Sequence, residues 1–255
     1  MKIRLLGTGT STGVPQVGCN CEVCTSKDSR DKRLRTSAWL EADSGERILI
    51  DCGPDFRQQM LALNHFDRID AVLLTHEHFD HVGGLDDLRP FCAFGDIPIF
   101  GNELCLMHQK ERIPYCFAEH KYPGVPRISL HPVRPGEAFY VGRLRIIPIL
   151  IMHAKLPILG YRIGDTAYIT DMKTIPEESM GLLSGVRTLI VNGLRSEPHL
   201  SHQTIQEAID FSNRLCVSRT YIIHLSHQAG LYETLQRNMP PHVFIAYDGL
   251  EIICD

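Results

Sequence analysis

Residues 69–84 read IDAVLLTHEHFDHVGG. A short apolar run, the mark of a buried strand, ends directly in a cluster of polar side chains. His76 and His78 stand two apart, so both would face one way if the strand continued. Asp80 and His81 follow in a tight turn before Gly83 and Gly84. Four potential metal ligands therefore fall within six positions at a strand end. Imidazole suits zinc and similar borderline metals, and carboxylate widens the choice to iron or manganese. Strand-end loops are also where catalytic groups collect. A chain with this segment has to present the end of a buried strand to an accessible edge.

Three other predicted strands end in ligand-capable residues. His153 closes the run IIPILIM, Asp171 follows AYIT, and His224 follows TYII. Each alone reads more readily as a satisfied structural residue than as a ligand. Together they complete two sites, His76, His78 and His153 in one and Asp80, His81 and His224 in the other. Asp171 is the natural bridging carboxylate between them. Asp51, at the end of ERILID, is a candidate to orient a ligand histidine, and Thr75 could bring a hydroxyl near the first ligands.

The remaining pattern is strand-rich with few helices. KIRLLGTG, TSAWLEAD, ERILIDCG, TLIVNG, RTYIIHLSH and HVFIAYDG read as strands punctuated by glycine. Helices are expected over 56–66, 85–94, 202–215 and 231–238; in 202–215 the apolar positions 205, 208, 209 and 215 share a face. Residues 108–127 have weak periodicity and are expected as an insertion near the cleft. Two sheets packed together and covered by helices account for this layout. No internal repeat or low-complexity linker divides it, and 255 residues at 44% hydrophobic can fill one large core.

Composition narrows the function. The formal charge is −4, which does not suggest a broad footprint for nucleic acid. RDKRLR, residues 30–35, is a local basic stretch expected as a solvated loop or strand edge. The opening MKIRLLGTGT lacks a secretory apolar core, and no apolar run is long enough to span a membrane, so a cytoplasmic location is expected. Nine cysteines, unevenly placed, argue against a disulfide framework. Six stand alone and read as buried small hydrophobes. The other three, Cys19, Cys21 and Cys24 in GCNCEVC, can close around a tetrahedral zinc if a fourth ligand arrives. With His224 turned to the catalytic side, His227 can supply it.

The segment THEHFDH resembles the HxHxDH motif of the metallo-beta-lactamase superfamily, over nearly the whole chain. That resemblance implies an α/β fold, a four-layer αββα sandwich in one hydrolase domain over 1–255. It implies a dinuclear site of His76, His78, Asp80, His81, His153, Asp171 and His224. GTGTSTGVPQVGCNCEVC, PHLSHQTIQEAI, YIIHLSHQ and AYDGLEI resemble the phosphoribosyl 1,2-cyclic phosphate phosphodiesterase branch of phosphonate breakdown. The branch implies a structural zinc on Cys19, Cys21, Cys24 and His227, and a histidine near the leaving group. His202 matches that histidine, with His199 as its neighbouring competitor.

The expected reaction is hydrolysis of a small or cyclic phosphodiester by a hydroxide shared between two divalent metals, zinc or manganese with iron a further candidate. Asp80 would be indispensable to it. A protonated His202 would assist the leaving group. The competing readings are a thioester or lactone hydrolase, or an RNA-processing hydrolase, on the same scaffold. A homodimer is expected because relatives of this size often pair; no nucleic-acid or membrane partner is expected.

Overall fold

The structure is a computed structural model that describes residues 1–64, 66–121 and 123–254. Its strands in chain order are β1 (Lys2–Gly7), β2 (Ser37–Glu41), β3 (Arg47–Ile50), β4 (Ala71–Leu73), β5 (Ile97–Gly101), β6 (Ile128–Pro132), β7 (Phe139–Val141), β8 (Leu144–His153), β9 (Leu156–Ile163), β10 (Thr166–Ile169), β11 (Thr188–Asn192), β12 (Arg219–Ile223), β13 (Val243–Ile245) and β14 (Glu251–Ile253). The helices are α1 (Glu22–Thr25), α2 (Phe56–Leu63), α3 (Phe79–Val82), α4 (Glu103–Arg112), α5 (Glu177–Met180), α6 (Ile205–Leu215) and α7 (Tyr232–Arg237). Two seven-stranded sheets result, β14-β1-β2-β3-β4-β5-β6 and β13-β12-β11-β10-β9-β8-β7. Each mixes antiparallel pairs with a parallel run, β3 to β6 in the first and β10 to β13 in the second.

Strict alternation lets one strand serve two layers. In β3, Ile48 and Ile50 enter the apolar cluster between the sheets, and Leu49 enters the cluster that holds Phe56 and Met60 of α2. β11 repeats the arrangement, with Ile190 inside and Leu189 and Val191 packed outward with Ala208 and Ile209 of α6. Because both faces are covered, these strands read as continuous apolar runs. The layers are those of the αββα sandwich. No helix among the described residues is long and apolar enough to cross a membrane.

Several expectations change on contact with the structure. RDKRLR is not a solvated edge: Arg33 is buried and donates to Thr8 Oγ1 at 2.8 Å and to the Ala246 carbonyl at 2.5 Å. Cys216 is exposed, unlike the other five isolated cysteines. The 85–94 segment is a run of 3-10 turns containing Pro90, whose missing N–H cannot support an α-helix. The 202–215 helix begins only at Ile205, because Thr204 and Glu207 close a reciprocal capping box. The 56–66 helix stops at Leu63, with Asn64 in the left-handed region, and residue 65 lies outside the described residues. In 108–127, α4 runs on to Arg112, whose guanidinium stands 6.0 Å from the Phe79 ring beside the ligand motif. Farther along, Arg127 turns away to Cys92 and Asp96, and residue 122 lies outside the described residues.

Candidate metal centre

The ends of five strands supply the centre. Asp51 follows β3; His76, His78, Asp80 and His81 follow β4; His153 ends β8; Asp171 follows β10; His224 follows β12. Asp51, Asp171 and His224 have φ of 58°, 58° and 57°. Such a conformation costs a non-glycine residue about 1–3 kcal/mol and persists only where its surroundings fix it. Here the residue so held is in each case the one whose side chain meets the centre.

The ligand atoms fall into the two expected sets. His76, His78 and His153 lie mutually within 4.8 Å, as do Asp80, His81, Asp171 and His224. Asp171 reaches both. Its Oδ1 is 3.3 Å from His81 Nε2 and 3.2 Å from His224 Nε2, and its Oδ2 is 3.9 Å from His76 Nε2. A third combination, His153, Asp171 and His202, is equally close.

Hydrogen bonds behind the rings decide which nitrogens face inward. His153 Nδ1 lies 2.9 Å from both the Asp171 and Ser201 carbonyls. Carbonyls only accept, so Nδ1 carries the proton and Nε2 presents a lone pair. His81 Nδ1 lies 2.7 Å from Asp51 Oδ2. Asp51 is fully buried and also accepts from Thr75 N at 2.8 Å and Thr75 Oγ1 at 2.9 Å. Behind Asp171, Asn192 Oδ1 accepts from Met172 N at 2.7 Å while its Nδ2 donates to the Met172 carbonyl at 3.0 Å. Asn192 went unnoticed in the sequence; its signal was an amide at the end of the all-apolar strand TLIV.

These residues fit divalent cations. The buried His81 Nε2 and both ring nitrogens of His224 have no hydrogen-bond partner, against the rule for buried polar atoms. Burial opposes charge on Asp171, yet the surrounding His224, His81 and His76 hold its carboxyl well below the usual range. Burial likewise opposes charge on His81, and the carboxylates of Asp171, Asp80 and Asp51 outweigh it and raise the ring. A site that keeps Asp80 and Asp171 ionised and draws positive charge between them, with orphaned imidazole nitrogens, is a divalent-metal donor set. Replacing Asp51 by asparagine should cost about 10- to 100-fold in metal affinity or turnover. Competitive chelator titration reads this directly, and an unchanged affinity and rate would remove Asp51 from the site.

His202 is buried beside both sets, its ring 4.7 Å from that of His153 and 4.8 Å from that of His224. Its Nδ1 lacks a hydrogen-bond partner and stands 3.8 Å from Asp171 Oδ2. His199 lies outside it, 5.0 Å between ring centres, with Nδ1 accepting from Ser201 N. Burial, with help from His224, lowers His202 to about 3. The ring is therefore neutral at neutral pH, where an imidazolium was expected.

Away from this centre, Cys19, Cys21, Cys24 and His227 bring their ligand atoms within 4.8 Å of one another. The Cys19 and Cys21 sulfurs each lie 3.4 Å from His227 Nδ1. The Cys24 backbone N–H and His227 bring the Cys21 thiol down to about 6, toward the thiolate a metal requires.

The description "Beta-lactamase superfamily domain" matches residues 46–225, which hold all five strands whose ends supply the centre. The chain belongs to the beta-lactamase superfamily. Among solved structures, one described as a new diphosphatase from the PhnP family is 36% identical, with a TM-score of 0.91 over 100% of this chain and 98% of that one. Zinc-bound PqqB from Methylobacterium extorquens, 20% identical with a TM-score of 0.81 over the whole of both chains, shares the fold. An octanoyltransferase of Porphyromonas gingivalis is 50% identical over 100% of this chain and 52% of its own length. The chain thus spans about half of that protein. The superfamily's metallo-beta-lactamase fold is the two-sheet sandwich described above.

Proposed function

We propose that this superfamily member, acting as one hydrolase domain, hydrolyses a small phosphodiester, with a cyclic sugar phosphate such as phosphoribosyl 1,2-cyclic phosphate as the specific candidate. The observation that carries the reading is the match along both full chains to the PhnP-family diphosphatase. His76, His78 and His153 would hold one divalent metal and Asp80, His81 and His224 the other, with Asp171 shared. Such metals supply activation of water at neutral pH and offset negative charge on the phosphoryl oxygens. Asp51, Thr75 and Asn192 keep the ligands aimed. His202 lies beside both ligand sets, and its neutral ring offers an N–H to the leaving oxygen.

The diphosphatase supports a second reading, cleavage of a phosphoanhydride at the same centre. The octanoyltransferase keeps a thioesterase reading in view, although half of that protein lies outside the match. One assay separates them. The metal-loaded protein is offered bis(4-nitrophenyl) phosphate, a nucleoside 2′,3′-cyclic phosphate, a dinucleotide diphosphate and an octanoyl thioester. Turnover of the diesters is the expected result; turnover of the thioester alone would overturn the phosphoryl reading. His202→Gln should cost about 10²- to 10³-fold with the cyclic phosphate, whose leaving alkoxide develops negative charge that the ring N–H stabilises. The loss should be far smaller with 4-nitrophenolate, a leaving group whose charge is already delocalised over its ring. Equal losses on both would deny His202 that role.

A further inference from the structure

Of the ligand residues in the two sets, His78 alone is exposed. The centre opens to solvent there, and the next residue is Phe79, 60% exposed. A lone exposed apolar side chain needs no explanation. Phe79 is set apart by its surroundings. Its sequence neighbours His78 and Asp80 belong one to each ligand set. Its ring also has a seat: a Cβ at Gly83 would stand 2.8 Å from the ring atoms Cε2 and Cζ, so only a bare glycine lets the ring lie there.

The helix α4 brings a cation to that ring. Asn102 caps the helix, its Oδ1 accepting from Cys105 N at 2.7 Å, while its Nδ2 donates to the Pro157 carbonyl at 3.4 Å. Farther along, His108 Nδ1 stands 3.6 Å from Oε1 of Glu77, the residue between His76 and His78. His108 and Arg112 are four apart and share a face of the helix. Glu77 and Phe79 are two apart in the ligand motif. The register that sets His108 against Glu77 therefore sets Arg112 against Phe79, its guanidinium carbon 6.0 Å from the ring centre. A ring with a guanidinium at its border discriminates among ligands. An aliphatic group would gain from the phenyl surface and nothing from the cation. A phosphate would gain from the cation and nothing from the phenyl. A flat, electron-rich aromatic ring gains from both.

We propose that Phe79, with Arg112 beside it, is the specificity-determining platform of this centre, on which a nucleobase carried by the substrate stacks. This rests on the phosphodiesterase reading above and narrows it: a cyclic sugar phosphate that bears a base is preferred to one that does not. The base tethers the scissile group at the mouth and takes no part in the chemistry.

The test compares adenosine 2′,3′-cyclic phosphate with methyl riboside 2′,3′-cyclic phosphate, which lacks the base, on the metal-loaded full chain. The base should lower KM about 10- to 100-fold, the range of a base stacked on an aromatic side chain, with much less change in kcat. Phe79→Leu keeps apolar bulk without the ring and should erase most of that preference; Phe79→Trp should preserve it. Arg112→Gln should weaken it about 2- to 5-fold. Equal KM for the two diesters in the parent, or a full preference retained in Phe79→Leu, overturns the platform. Calorimetry with adenosine 5′-phosphate against ribose 5-phosphate gives a readout independent of turnover. If neither diester is cleaved, the phosphodiesterase reading fails, and the platform is judged by this pair alone. Adenosine 5′-phosphate binding at least about 10-fold tighter in the parent, and not in Phe79→Leu, upholds it; equal affinity of the two ligands in the parent overturns it. Metal content and melting temperature establish that each variant is folded. If Phe79→Leu is not, Arg112→Gln carries the comparison, and an unchanged preference there overturns the platform.

Discussion

Replacing Asp171 by alanine should lower kcat by more than about 10³-fold and reduce the bound metal below two per centre, the largest effect expected of any single substitution. The outer partners of metal ligands typically cost 10- to 100-fold. Asp171 is worth more because its two oxygens face different ligand sets, Oδ1 toward His81 and His224 and Oδ2 toward His76 and His202. Without it, His81 loses a carboxylate that offsets its buried charge and both sets lose their common member. The Asp171→Asn change keeps the shape and removes only the charge, so its loss should approach that of alanine. Elemental analysis after gel filtration, paired with diester turnover, measures both effects. Full metal occupancy with a rate within 10-fold of the parent would remove Asp171 from the bridge.

The centre was legible to different depths in different places. The HxHxDH cluster stood out because ligand types recur at short spacing after a buried strand, where chance seldom puts them. His153, Asp171 and His224 were weak singly and persuasive only as a set, since each follows an apolar strand whose end could point anywhere. What brings them inward is backbone conformation: Asp171 and His224 have positive φ, and nothing in a non-glycine residue announces that. Arg33 was misread for a related reason. Its charge suggests solvent, but Thr8 and Ala246 accept from it and the half-buried Asp248 offsets its charge, all from distant parts of the chain. Asp248 is itself held by that assembly, accepting from Thr8 N, Thr8 Oγ1 and Leu34 N. The start of α6 could have been read more closely, because TIQE carries the capping pair Thr204 and Glu207 at the required spacing.

The alternating strands told a simpler story. Two sheets under helices followed from apolar runs that must be covered on both faces, and β3 and β11 show why such runs arise. Patterning does not encode which sheet each strand joins, and that pairing sets which strand ends meet.

The cysteine cluster should behave as a stability element. Cys21→Ala should release about one zinc per chain and lower the melting temperature by roughly 10 °C, about 3 kcal/mol for a chain of this size. The loop bearing Cys19, Cys21 and Cys24 has a small apolar patch of its own, in which Val14 and Val23 pack with Leu231. A metal held by these sulfurs and His227 would join the N-terminal loop to the end of β12. A clip across so long a stretch of chain constrains the unfolded state strongly, and a closed Cys3His set leaves no position for substrate. The Cys21 thiol, brought down to about 6, gives up its proton far more readily than the Cys24 thiol, which burial pushes up to about 11, so its loss should cost zinc affinity directly. Turnover at 20 °C should fall far less than with Asp171→Ala, because the ligand sets of the catalytic centre remain intact. Zinc analysis and calorimetric melting of parent and variant decide the matter. Unchanged zinc with an unchanged melting temperature would mean that the sulfurs and His227 converge without a metal; lost zinc with turnover abolished would mean that this clip also holds the N-terminal loop, and with it the centre, in place.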